Sequence, residues 1–213
     1  MTRNKQDYLK IIYELGGTTQ PVSNKDIALA LGISAPSVTE MIKKLLKEGY
    51  LKATPYKGTH LTEKGIQEAA QIVKRHRLWE VFLVEHLGFN WEDVHEEAEK
   101  LEHVTSLELE KRLEEYLHHP KCCPHGSVIS YENENVQPME YKTLDLILEG
   151  EEVIIKRVRD QKELLQYVSD MGLGIGDKIK IINLAPYNGP ITIKKQDITI
   201  MIGKEAAKFI YVE

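Results

Sequence analysis

The chain has 213 residues, 42% of them hydrophobic, and a formal net charge of −5, enough for one large domain or two to three small ones of ordinary globular composition. No run of about 18 apolar residues occurs, so no membrane span is expected; the MTRNKQDYLK start lacks an apolar stretch, so no secretion signal is expected either. Cys122 and Cys123 are the only cysteines and stand side by side, which argues against a disulfide framework and for reduced thiols in a cytoplasm, available to metal.

Charge is uneven along the chain. Residues 1–64 carry ten Lys and Arg against six Asp and Glu, a balance of +4, so the remainder carries −9. A basic head on an acidic body suits phosphate binding at one end and cation binding at the other.

Asn4–Leu15 reads as an amphipathic helix with Tyr8, Ile11, Ile12 and Leu15 on one face, ended by Gly16-Gly17. Ser23 opens a second helix as N-cap, with Asp26 in the capping-box position, and Gly32 stops it. Ser34 caps a third, Ala35 to about Glu48, with Pro36 in the first turn, where its missing N–H costs nothing. Helix, IALALGIS, helix is a helix-turn-helix. Tyr50–Ala53 and Thr59–Leu61 then read as short strands around Pro55-Tyr56-Lys57-Gly58, which makes a winged helix. Its exposed edge carries Ser34, Pro36, Ser37, Thr39 and Glu40, with Lys43, Lys44 and Lys57 in reach of phosphates. Small hydroxyl and apolar groups there suit thymine methyls and shape readout more than bidentate guanine contacts.

Thr62–Leu87 reads as one long helix. Its Leu78, Trp79, Phe82, Leu83 and Leu87 are too many bulky groups for the nearby elements to cover, which points to a dimer interface beside the domain core. Trp91–His103, WEDVHEEAEKLEH, reads as a helix that puts His95, Glu99, Glu102 and His103 on one face beside Val94, Ala98 and Leu101. His76 and Glu80 form a second i, i+4 pair on the long helix. Imidazole with carboxylate oxygen is the ligand set of a borderline-hard divalent cation; the bland alternative is a solvated acidic face. Ser106–Leu117 adds a helix with Leu109, Leu113, Tyr116 and Leu117 inward. His118–Pro138 is a loop and linker in which Cys123-Pro124-His125 offers a thiolate and an imidazole as a metal edge. A cysteine nucleophile with a histidine base is the enzyme reading of that edge, but no oxyanion hole or orienting acid accompanies it, and no enzyme is expected.

From Tyr141 the texture turns β-rich: runs at 153–158, 178–183, 190–195, 197–202 and 209–212, one helix at Lys162–Met171, and a hairpin turn at Asn188-Gly189. This makes a small barrel without a nucleotide or catalytic motif. Asp160, just before its helix, is its most interesting carboxylate.

With NKDIALALGISAPSVTEMIKKLLKEGYL, the His/Glu helix and DMGLGIGDKIKI on the page, the chain resembles the DtxR/MntR group of metal-dependent transcriptional repressors over nearly its whole length. The resemblance implies a mainly α fold with a C-terminal small β-barrel. Its domains are a winged helix-turn-helix at 1–64, a helical metal-binding and dimerisation domain at 65–140, and an SH3-like domain at 141–213, like the ferrous-transport accessory proteins. It implies a primary metal site at Asp7, Glu99, Glu102 and His103, with His76 close by. A second site falls on His76, Glu80 and His95, with Asp160 from the C-terminal domain. Cys123 and His125 resemble features of the streptococcal-type manganese regulators, whose second site is built partly from that loop. Manganese-type members carry another acid three residues after the first; here that position is Lys10.

The expected function is therefore a metal-dependent repressor of metal-uptake genes, a homodimer on a palindromic double-stranded DNA operator. The expected ion is Mn²⁺, with Fe²⁺, Zn²⁺ or Cd²⁺ as alternatives at one or both sites. The oxygen-rich first site should respond to Mn²⁺ and the softer Cys123 site should hold Zn²⁺ or Cd²⁺ more tightly. The alternative is a winged-helix repressor gated by an organic ligand.

Overall fold

Ser23 and Ser34 start helices as their sequence context demands. Ser23 Oγ accepts from the Asp26 N–H at 3.1 Å and donates to Asp26 Oδ2 at 2.7 Å; Ser34 Oγ accepts from the Ser37 N–H. Gly32 closes the first of these helices in the left-handed region, at φ 64. The computed structural model describes residues 1–131 and 141–213; the end of the expected linker and the expected boundary at 140 lie outside the described residues.

Two compact units are present: Met1–His76 with Lys100–Glu110, and Arg77–Glu99 with Lys111–Glu213. The first holds α1 (Arg3–Glu14), α2 (Asn24–Leu31), α3 (Ala35–Lys47), and the antiparallel ribbon β1 (Leu51–Thr54) and β2 (Gly58–Leu61), paired from Leu51↔Leu61 to Thr54↔Gly58. Helix α4 (Glu63–Leu87) begins in this unit. Tyr8, Leu9 and Ile12 of α1, Ile27 of α2, Val38, Ile42 and Leu45 of α3, and Leu51 and Leu61 of the ribbon form one core. This is the expected winged helix, each helix burying one apolar stripe.

Helix α5 (Val94–Glu102) is shorter than Trp91–His103: residues 91–93 form a turn, and His103 lies just past the last helical residue. Helix α6 (Leu107–Tyr116) buries Leu113, and Leu117 follows it inward, but Leu109 and Tyr116 face solvent, contrary to expectation. Leu78 and Leu83 of α4 are core, packed with Val81, Leu113, Leu117, Cys123 and Ile129 or fully enclosed, so they are not interface residues. Leu87 is exposed, and Trp79 and Phe82 are half-buried. Apolar exposure thus falls on Leu87, Leu109 and Tyr116 rather than on the whole stripe.

The C-terminal part is a six-stranded antiparallel sheet in the order β3-β8-β4-β5-β6-β7. Its strands are β3 (Lys142–Thr143), β4 (Glu152–Val158), β5 (Lys178–Leu184), β6 (Ile191–Lys195), β7 (Ile198–Ile202) and β8 (Ile210–Val212), with α7 (Lys162–Asp170) and the short α8 (Lys204–Ala207). Ile155, Val158, Leu165, Val168, Ile179, Ile181, Ile193 and Ile210 fill its core. The β5–β6 turn has positive φ at Tyr187 and Asn188, one residue earlier than Asn188-Gly189.

Within the first unit, α6 is held to α4 by a buried carboxylate. Glu110 accepts from Arg75 Nε at 2.6 Å and pairs with Lys74 Nζ at 2.7 Å. Losing one partner of such a pair leaves uncompensated buried charge, so Glu110→Ala should cost about 3–5 kcal/mol of stability. The measurement is urea unfolding; a loss under about 1 kcal/mol would show that the pair does not anchor α6.

Candidate metal centres and the DNA-facing helix

Helix α1 carries Asp7 inward, and the end of α5 brings Glu102 and His103 to it. Asp7 Oδ1 and His103 Nε2 lie 2.8 Å apart, both atoms buried. Glu102 Oε1 is 3.4 Å from the same Nε2. His103 Nδ1 lies 2.9 Å from Gln6 Oε1. An amide oxygen can only accept, so the Nδ1–H donates to Gln6 and the ring is held with Nε2 toward the carboxylates. Two carboxylates and one imidazole oriented by a second hydrogen bond therefore fit a divalent ion.

Glu102 is fully enclosed and answers to more than His103. Its Oε2 is 2.5 Å from His76 Nδ1, and its two oxygens are 3.1 and 2.8 Å from Lys10 Nζ. His76 Nδ1 is also 3.0 Å from Lys10 Nζ, but it cannot both donate to Glu102 and accept from Lys10. The shorter contact identifies the hydrogen bond, so Nδ1–H donates to the carboxylate. Burial pushes the Glu102 carboxyl up, but His76 and Lys10 outweigh it and hold it below the usual range.

The second cluster lies in the other unit. Glu80 of α4, Cys123 and His125 of the loop are all buried, and each offers a donor atom within 4.8 Å of the others. His125 Nδ1 is 3.3 Å from Glu80 Oε1, 3.8 Å from Cys123 Sγ and 3.9 Å from Asp160 Oδ1. His95 Nδ1 meets Asp160 Oδ2 at 2.6 Å. The Trp91 carbonyl accepts from His125 Nε2 at 2.7 Å, which fixes the ring with Nδ1 toward the acids. Desolvation works against a charged imidazole, yet the Cys123 and Glu80 contacts prevail and push His125 up to about 12. Burial, then the charge of Glu80, pushes the Cys123 thiol up. Without metal the imidazolium is the cation that neutralises the acids.

The structure thus divides the expected ligands. Asp7, Glu102 and His103 come together, His76 joins Glu102 and Lys10, and Glu80, His95, Cys123, His125 and Asp160 form the other group. Glu99 is half-buried on α5 and belongs to neither close-set triad among the described residues. Gln6 and the partnership of Lys10 were not read from the sequence. Their signal is positional: Gln6, Asp7 and Lys10 sit within one turn of α1, flanking the Tyr8–Leu9 core face.

At the other end of the first unit, α3 exposes Ser34, Pro36, Ser37, Glu40, Lys43 and Lys44, and the ribbon tip exposes Tyr56 and Lys57. Thr39 differs: its hydroxyl donates to the Ala35 carbonyl at 3.0 Å and accepts from Asn24 at 3.3 Å, locking α2 to α3.

Three family models match the chain: an iron dependent repressor N-terminal DNA binding domain over residues 1–59, an iron dependent repressor metal binding and dimerisation domain over 62–131, and a FeoA domain over 142–213. An uncharacterized HTH-type transcriptional regulator of Methanocaldococcus jannaschii is 41% identical over 118 residues, covering 55% of this chain and 94% of that protein. The chain belongs to the iron-dependent repressor family. Among solved structures, the manganese regulator SloR is 40% identical with a TM-score of 0.83, over 100% of this chain and 99% of that one. ScaR with bound Zn²⁺ is 39% identical with a TM-score of 0.84, over 99% of each. As a member of this family, the protein is a metal-dependent transcriptional repressor that binds a DNA operator as a homodimer. The metal-binding match decides against gating by an organic ligand. Among the described residues, no helix is long and apolar enough to cross a membrane.

Gly126 sets how closely the Cys123–His125 loop lies on β4. It has φ +83, and a Cβ there would meet the Lys156 carbonyl at 1.9 Å, beside the bond from the Val158 N–H to the His125 carbonyl. Gly126→Ala should displace His125 and lower Zn²⁺ affinity at this cluster at least about tenfold, although no ligand changes. Equilibrium dialysis measures it; unchanged affinity would mean that the loop does not need this seat. Metal must also displace the His125 proton, so Zn²⁺ binding should release protons and tighten as pH rises from 6 to 8, which calorimetry in buffers of different ionisation enthalpy will read.

Proposed function

We propose that this is a manganese-responsive repressor of metal-uptake genes, acting in the cytoplasm on a palindromic operator. The observation that carries this reading is the convergence of Asp7, Glu102 and His103, whose donor atoms all lie within 4.8 Å of one another, with His103 Nε2 2.8 Å from Asp7 Oδ1 and 3.4 Å from Glu102 Oε1. Asp7, Glu102 and His103 would hold the ion, with Glu99 as a further ligand. The set is oxygen-rich with one imidazole and no thiolate, which favours Mn²⁺ or Fe²⁺ by donor type over softer ions. The bound ion supplies the positive charge that lets α1 and the end of α5 hold one fixed arrangement.

That arrangement matters because α1 packs into the winged-helix core through Tyr8, Leu9 and Ile12. Fixing Asp7 fixes the head that carries α3. A dimer reads two half-sites about 34 Å apart, so only one head position serves both recognition helices. Metal acts by its differential affinity for that position, and a complete switch needs about 5.5 kcal/mol of it. Ser34, Pro36, Ser37 and Glu40 would meet base edges, while Lys43, Lys44 and Lys57 would meet phosphates. Thr39 keeps its place at this interface as the residue that orients α3.

Glu80, Cys123, His125 and Asp160, with His95 beside them, would form a softer second centre for Zn²⁺ or Cd²⁺. Its donors come from α4, the loop and the strand-to-helix turn before α7, so filling it ties the C-terminal sheet to the helices of its own unit. The domain limits 1–64, 65–140 and 141–213 follow the same division of labour.

Asp7→Asn and Glu99→Ala should each weaken Mn²⁺-dependent operator binding at least about tenfold while circular dichroism and dimer mass stay unchanged. Operator binding by Asp7→Asn that still required Mn²⁺ at the original concentration would remove Asp7 from the site. Lys57→Ala should weaken all DNA sequences alike and lower the salt slope by about one. Cys123→Ala should remove one Zn²⁺ per chain and leave Mn²⁺ binding in place.

A further inference from the structure

The cluster of Glu80, Cys123 and His125 is withdrawn from water. The side chains of Glu80 and His125 are 2% and 1% exposed, and Cys123 is buried. Asp160 differs: it is 26% exposed, and its two oxygens have different neighbours. Oδ1 lies 3.9 Å from His125 Nδ1, on the buried side. Oδ2 lies 2.6 Å from Nδ1 of His95, whose side chain is 43% exposed. Exposure therefore rises in one direction, from Glu80 and His125 through Asp160 to His95.

That direction ends in a cavity of about 170 Å³, lined by Glu92, Asp93, Glu96 and Gln161 together with Asp160 and His95. Its wall is fastened. Lys162 holds Asp93 at 2.8 Å, and Trp91, two residues before Asp93, is tied to His125 through its carbonyl and to Ser169 through its indole N–H. Four carboxylates line the cavity against that one ammonium, so the mouth draws cations and repels anions. A centre whose donors do not meet water can be loaded only through an opening, and this one leads to the donor that water does reach.

We infer that divalent metal reaches Glu80, Cys123 and His125 through this cavity, and that His95 is the gate on the route rather than a member of the ligand set. The inference rests on the reading of this cluster as a metal centre; it adds the way in and the residue that controls it. An exposed side chain turns between rotamers in nanoseconds or less, so the ring is not slow. It limits loading instead through the small fraction of time that it leaves Asp160, as any sparsely populated open state does. A hydrogen bond to a carboxylate favours the closed arrangement by about tenfold or more.

Co²⁺ is the probe, because thiolate bound to it gives a charge-transfer absorption that reports the centre containing Cys123 and not the Asp7 triad. Full-length protein is mixed with Co²⁺ in a stopped-flow cell at one pH, and growth of the band is followed against Co²⁺ concentration. His95→Ala, at a half-exposed side chain, should raise the association rate constant at least about tenfold. Gln161→Arg sets a second cation in the mouth and should lower it at least about tenfold, less so at high salt. Gln161 makes no side-chain capping bond to α7, so the helix survives the change. Association that is unchanged or slower in His95→Ala overturns the gate, because losing a ligand or an orienting residue hastens release and not arrival. Unchanged association in Gln161→Arg overturns the route. Were loss of the His125 proton the slow step, neither substitution would alter the rate, and both parts fail. A wild-type protein without the band, or a band that survives in Cys123→Ser, would overturn the reading of the cluster as a metal centre and this inference with it. A Cys123-dependent band with unaltered rates overturns the inference alone.

Discussion

Glu102 carries its charge with no access to water, and the first unit is arranged around keeping it satisfied. Lys10 reaches it from α1, His76 from α4, and His103 from the turn after its own helix. An unpaired carboxylate in that position would be intolerable, so three separate segments must converge before it can be buried. The convergence fixes α1 against the helical trunk of that unit, and α1 in turn is the wall against which the DNA-binding helices pack. In the proposed metal centre stability and regulation would use the same residue: the carboxylate that holds the fold together would also bind the regulatory ion.

The second cluster follows a different logic. Its acids are neutralised by a histidine proton rather than by a lysine. A proton is exchanged in solution and an ammonium on a short tether is not. In the proposed second centre the imidazolium of His125 would give way to a metal ion, whereas Lys10 holds its place. One chain thus contains an exchangeable and a permanent solution to the same electrostatic problem, buried carboxylates in a dry interior.

Local chemistry made much of this legible in the sequence. Capping serines, a left-handed glycine and 3.6-residue periodicity located the winged helix to within a residue or two, because those signals act through neighbours in the chain. Alternating apolar runs did the same for β4 to β8. What escaped was set by distant contacts. Leu109 and Tyr116 share the periodicity of Leu113 and Leu117, and nothing local shows that only the latter pair is buried. Glu102 and His95 lie on one helix face, yet the ends of that short helix serve different units. Lys10 could be seen as a departure from a pattern of acids; that its ammonium lands on Glu102, 92 positions away, could not. Short β3 and α8 carry too few residues for any period to register.

Trp91 ties several of these parts together. Its carbonyl holds His125, its ring lies 5.9 Å from that imidazole, and its indole N–H donates to Ser169 of α7 at 2.6 Å. The indole therefore sits between the loop that carries the soft ligands and the helix that follows Asp160, with its emission exposed to the charge state of the ring beside it. In the proposed second centre, exchange of a proton for a metal at His125 would change that local field. If the proposed second centre binds metal, Trp91 emission would be an optical gauge of its occupancy.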